Sequence, residues 1–92
     1  MSVKRYSMVV TGRVQGVGFR FFTSNHARKH HCTGWVRNCG DGNVALEVQG
    51  EEEALKEFQK EINIGPILSK VRELKVTEIP VLPDERNFIV RH

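Results

Sequence analysis

The segment Gly12-Arg13-Val14-Gln15-Gly16-Val17-Gly18-Phe19-Arg20 constrains this chain more than any other. The apolar run Met8-Val9-Val10 leads into it, and a stretch with three- and four-residue apolar spacing leaves it. A strand that passes through three glycines into a helix leaves backbone N–H groups unpaired in the loop and the first helical turn. Those groups, with the positive end of the helix dipole, form a cradle for an anion. Arg20 adds a full charge and a planar fork that matches phosphate oxygens. Glycines alone would more simply make a turn; the helix that follows and Arg20 favour phosphate binding.

Around this segment the periodicity sets an order of elements. Residues 5–11 read as a buried strand and residues 19–31 as a helix whose Phe19, Phe22, His26, Ala27 and His30 share a face. Residues 32–38 form a second strand, Gly40-Asp41-Gly42-Asn43 a turn, and Val44, Leu46 and Val48 the inward side of a third strand returning antiparallel. Glu51-Glu52-Glu53 opens a second helix with apolar positions Leu55, Phe58 and Ile62, stopped by Gly65-Pro66. A fourth strand follows from Val71 to Ile79, and residues 88–90 add a short final one. Strand–helix–strand–strand–helix–strand is the ferredoxin-like α+β sandwich: an antiparallel sheet with both helices on one face.

Ninety-two residues suit one domain, spanning 1–92. The net charge of +3 is mild, and basic residues such as Lys4, Arg5, Arg13, Arg28, Lys29 and Arg37 are scattered, as on a solvated surface. That distribution fits small anions better than nucleic acid. The first apolar run is too short for a signal-peptide core and none reaches membrane-spanning length, so the expected location is the cytoplasm. Cys32 and Cys39, if both lie on one strand, stand roughly 23 Å apart, which precludes a disulfide and agrees with a reducing compartment.

The glycine segment is followed by Gly34-Trp35-Val36-Arg37-Asn38 and Asp41-Gly42-x-Val44, then Gly50, Gly65-Pro66, Val71 and Phe88. Together these resemble the acylphosphatases over essentially the whole chain. The resemblance implies a ferredoxin-like enzyme that hydrolyses carboxyl–phosphate anhydrides without metal or cofactor. It matches Arg20 to the family's phosphate-binding arginine and Asn38 to its water-orienting asparagine. The loop residues Gln15, Gly16, Val17, Gly18 and Phe19 match the segment whose amides hold the phosphate. The family usually carries an apolar residue at the position of His30 and often glycine at that of His31, which bears on local packing and the helix cap.

The chemistry stands without the family name. The leaving group of an acyl phosphate is a carboxylate, with a conjugate-acid pKa of about 4 to 5, so its departure needs no general acid. What remains is to hold the phosphoryl group, balance its charge and aim a water in line. Arg20 and the loop amides suit the first two tasks, and Asn38, with acceptor and donors, suits the third. The chain has no Gly-x-x-x-x-Gly-Lys-Ser/Thr loop, no acidic cluster suited to magnesium and no serine or cysteine with a nucleophile signature. His26 and His30 have metal-compatible spacing, with His31 beside them, but lack an adjoining carboxylate or thiolate and read as packing or solvated residues. Phe19, Phe22, Trp35, Phe58 and Cys32 read as core. Cys39, next to Asn38, lies where a bulky thiol adduct would obstruct the site mouth. Two other classes share this order of elements. An RNA-recognition module would need aromatics on its central strands, where residues 44–49 offer none. A regulatory domain that binds phosphate without turnover would share the cradle, and Asn38 is what tilts the reading to hydrolysis. The expected ligands are an acyl phosphate and inorganic phosphate, and the expected state is a monomer.

Overall fold

The computed structural model describes residues 2–92. The elements are β1 (Val3–Arg13), α1 (Phe19–Lys29), β2 (Thr33–Asn38), β3 (Val44–Glu51), α2 (Glu52–Ile64), β4 (Lys70–Ile79) and β5 (Phe88–Val90). They make a five-stranded sheet in the order β4-β1-β3-β2-β5, with both helices packed on one face. The expected ferredoxin-like α+β order is the observed one.

Alternation along the strands builds the core. Met8 and Val10 on β1, Val44, Leu46 and Val48 on β3, and Val36 on β2 point toward the helices and are fully buried. Ala27 of α1 and Leu55, Phe58 and Ile62 of α2 close over them, each pair of turns supplying the apolar stripe. Cys32 joins this core as expected, and burial raises its thiol pKa to about 11. Both cysteines are unpaired thiols. Trp35 departs from expectation. Gly34 and Val36 take the inward positions, so period two sends Trp35 to the face away from the helices. There the Arg91 guanidinium stacks 4.7 Å from its ring centroid, with Arg37 at 5.9 Å.

The sheet is mixed, not antiparallel throughout, because β5 runs parallel to β2. The cause is topological. Ile79 at the end of β4 stands opposite Arg5, Arg5 opposite Gln49, and Gln49 opposite Thr33 at the start of β2. The chain leaves β4 at the end where β2 begins, crosses to the far edge through residues 80–87, and must then run beside β2 in its direction. This crossing follows the same row of residues over the helix-free face. Gln49 donates to the Leu82 carbonyl and accepts from the Leu82 N–H, at 2.9 and 2.8 Å. Arg5, read from sequence as a surface cation, is only 1 % exposed beneath the crossing. Its guanidinium donates to Glu85 at 2.7 Å, Glu47 at 2.9 Å and Gln49 at 3.2 Å.

Helix α1 ends two residues earlier than its apolar spacing suggests. His30 caps it, and His31 turns left-handed with φ 58°. The N–H of Cys32 then donates to the Ala27 carbonyl at 2.8 Å and that of His31 to Arg28 at 3.0 Å, the paired bonds of a Schellman ending. His31 thus occupies the backbone conformation that favours glycine.

Candidate active site

Three elements meet at one end of the sheet. β1 finishes at Arg13, α1 begins at Phe19, and β2 finishes at Asn38, opposite Val44. Because Asn38 falls in the same alternation as Gly34 and Val36, it lies on the helix side of the sheet, where α1 begins. Arg20 and Asn38, eighteen positions apart in the chain, therefore line one cleft of about 230 Å³ with Val14, Gly16, Gly18, Phe19 and Phe21.

The loop owes its shape to two glycines. Gly16 has φ 74° and Gly18 φ 76°, and a Cβ at either would meet nothing within 4 Å. Conformation, not space, demands glycine there. Left-handed glycines alternate with ordinary residues at 15 and 17, a pattern that turns successive N–H groups toward one concavity. Among the described residues, the backbone N–H groups from Gln15 to Phe21 reach no protein acceptor, and Phe22, donating to Gly18 at 3.0 Å, is the first that does. This is a run of free donors at the positive end of a helix, a ready anion site.

The predicted site residues divide into those that line the cleft and those that hold it. Gly16, Gly18, Phe19, Arg20 and Asn38 line it; the Phe19 ring itself is buried in the core beneath. The Val17 side chain packs against the core, and Gln15 turns its side chain away. Gln15 Nε2 donates to the carbonyls of Cys39 and Asn43, at 2.7 and 2.8 Å, tying the loop to the β2–β3 turn. Only the backbones of these two residues are left to face an anion. Cys39 is half-buried at that junction and does not line the cleft.

Arg20 is held without being neutralised. Its Nη1 donates to the Arg91 carbonyl at 2.9 Å, with His92 Nδ1 3.4 Å away, and among the described residues no carboxylate pairs with it. The remaining donors of its guanidinium are available. Nothing near Arg20 in the sequence signals this support, which comes from residues 91 and 92. Phe21 also lines the cleft without a signal in the sequence, because its exposure depends on which way the helix faces.

His26 and His30, weighed above as a metal pair, converge on a carboxylate of α2. His26 Nδ1 lies 2.5 Å and His30 Nε2 3.0 Å from Glu61 Oε1, and Lys29 donates to Oε2 at 2.9 Å. Burial alone would raise the Glu61 pKa, but the bonds from Lys29, His26 and His30 outweigh it and bring it down to about 2.

Comparison with known proteins gives the family and the fold. The family model described as acylphosphatase matches residues 6–90. An acylphosphatase of Bacillus licheniformis is 47% identical over 88 residues, covering 96% of this chain and 98% of that one. The crystal structure of acylphosphatase from Bacillus subtilis superposes with a TM-score of 0.93 at 39% identity, covering 97% of this chain and 99% of that one. That of an acylphosphatase from Coxiella burnetii gives 0.92 at 32% identity, covering 97% and 93%.

Proposed function

This chain belongs to the acylphosphatase family and hydrolyses acyl phosphates to a carboxylate and inorganic phosphate, and from that premise we propose how its own residues do so. The phosphoryl oxygens sit on the free amides of residues 15–19 and on the unneutralised guanidinium of Arg20. Asn38 orients a water toward phosphorus. As the new P–O bond forms, the bond to the carboxylate oxygen breaks. The carboxylate leaves as a weak base and the proton of the water passes to solvent or to a phosphoryl oxygen. Because the protein contributes position and fixed positive potential, direct attack without a metal ion or a covalent intermediate suffices.

The single observation that supports this reading is the meeting of Arg20, Asn38 and the left-handed glycines in one cleft. We further place the chain as a one-domain monomer of the cytoplasm that needs no nucleic acid. Two unpaired thiols fit that setting, and among the described residues no helix is long and apolar enough to cross a membrane. The direct test is turnover of benzoyl phosphate in excess chelator, with Asn38→Ala alongside. Turnover by the wild type with a lower kcat in the variant is expected. Unchanged kcat in Asn38→Ala, or turnover that requires added metal, would overturn the mechanism.

A further inference from the structure

The cleft of about 230 Å³ has to receive the acyl group as well as the phosphoryl group. It is smaller than the pockets of about 300 Å³ and above that enclose drug-sized ligands. Once the phosphate is seated on Arg20 and the loop amides, the acyl group meets the rest of the lining and the rim. Of the apolar side chains lining the cleft, Val14 and Phe19 are already buried in the core, whereas Phe21 is 69 % exposed. Side chains on a helix lean toward its N-terminus, so the third residue of α1 overhangs the loop before it. Phe21 is absent from the packed aromatic contacts, which run Phe19–Phe22–His26 along a different face. Among the described residues, Arg20 is the sole charged one in the lining, and the phosphate occupies it.

We infer that Phe21 is the acyl-group ledge of this enzyme and selects acyl phosphates whose acyl part is apolar, aromatic ones above all. The inference rests on the cleft being the phosphoryl site. An acyl chain bearing its own carboxylate finds no second cation in the lining, whereas a benzoyl ring finds an aromatic partner. Stacking of that kind corresponds to roughly a three- to tenfold change in affinity.

The test compares KM for benzoyl phosphate with KM for acetyl phosphate in the wild type, Phe21→Ala and Phe21→Leu, with Arg20→Ala as a control. The wild type should bind benzoyl phosphate more tightly, the preference should collapse about three- to tenfold in Phe21→Ala, and Phe21→Leu should fall between. A preference in Phe21→Ala equal to that of the wild type sinks the ledge. If Arg20→Ala hydrolyses both substrates at the wild-type rate, the phosphoryl site itself is misplaced. The two failures are thus read from different variants.

Discussion

Arg5 and Arg20 carry the same guanidinium in opposite circumstances. Arg5 lies under the 80–87 crossing with Glu47, Glu85 and Gln49 around it, and nearly all its surface is withdrawn from water. Arg20 stands at the start of α1 with a peptide carbonyl and a histidine ring nitrogen as neighbours and, among the described residues, no carboxylate. A buried guanidinium must be paired, because an unpaired charge in that setting costs several kcal/mol. A binding guanidinium must stay unpaired with acids, because a carboxylate would compete with the phosphate for the same fork. The company an arginine keeps, more than its position in the chain, separates a cation already paired with acids from one with donors left to bind an anion.

Removing each arginine in turn separates the two roles most clearly. Arg20→Ala should cut kcat/KM for benzoyl phosphate by about 10³-fold or more, the scale at which an arginine supports phosphoryl transfer. Its unfolding free energy should change by no more than about 0.5 kcal/mol. Arg20→Lys should recover part of the activity, since a point charge replaces the charge but not the fork. A stable, fully active Arg20→Ala would end the functional half of the contrast.

Arg5→Ala should do the reverse. Removing one partner of a buried pair costs about 3 kcal/mol, which for a domain of this size lowers Tm by roughly 15 °C. Burial alone would raise the pKa of Glu85; bonds from Arg5 and Thr33 hold it below the usual carboxylate range, so its carboxylate would be left beneath the crossing without its cation. Well below the melting transition, benzoyl phosphate turnover should persist. Thermal melts followed by circular dichroism check the first statement, and assays at low temperature the second.

Asn38→Ala separates two functions inside the site itself. Loss of a positioned water costs about 10²-fold in kcat by misplacement alone, while the inhibition constant for inorganic phosphate should hold, since Arg20 and the loop amides remain. A variant that loses phosphate affinity and keeps kcat would assign Asn38 to the anion, and the division between holding and aiming would go.

The same contrast explains what the sequence disclosed. The elements were legible because each is written locally: alternation in Val44, Leu46 and Val48, helical spacing in Leu55, Phe58 and Ile62, glycines where φ must be positive. The shared cleft of Arg20 and Asn38 could be anticipated because their motifs hold them at element ends that the fold brings together. Arg5 was not, since one basic residue in an apolar strand carries no mark of the carboxylate eighty positions away that pairs with it. The parallel entry of β5 was hidden for the same reason. It depends on where β4 ends relative to β2, a register between distant strands that residues 80–90 do not encode.

The cluster at Glu61 offers a third case, with side chains more exposed than that of Arg5. Its carboxylate is partly exposed and takes bonds from Lys29, His26 and His30, which join α1 to α2. A carboxyl whose pKa is depressed on folding stabilises the folded state above its ordinary value and loses that contribution as pH falls through the folded value. Here the window runs from about 4.5 down to about 2. Glu61→Gln should therefore be less stable than the wild type at neutral pH, by no more than about 1 kcal/mol for so exposed a cluster. The difference should close as pH approaches 2, and high salt should shrink it at neutral pH, because exposed pairs are screened. The loss in Arg5→Ala should respond less to salt, since the guanidinium itself is buried under the crossing even though Glu47 and Glu85 keep some exposure. Equal salt sensitivity in the two variants would mean that water reaches Arg5, and that burial is not what sets it apart from Arg20.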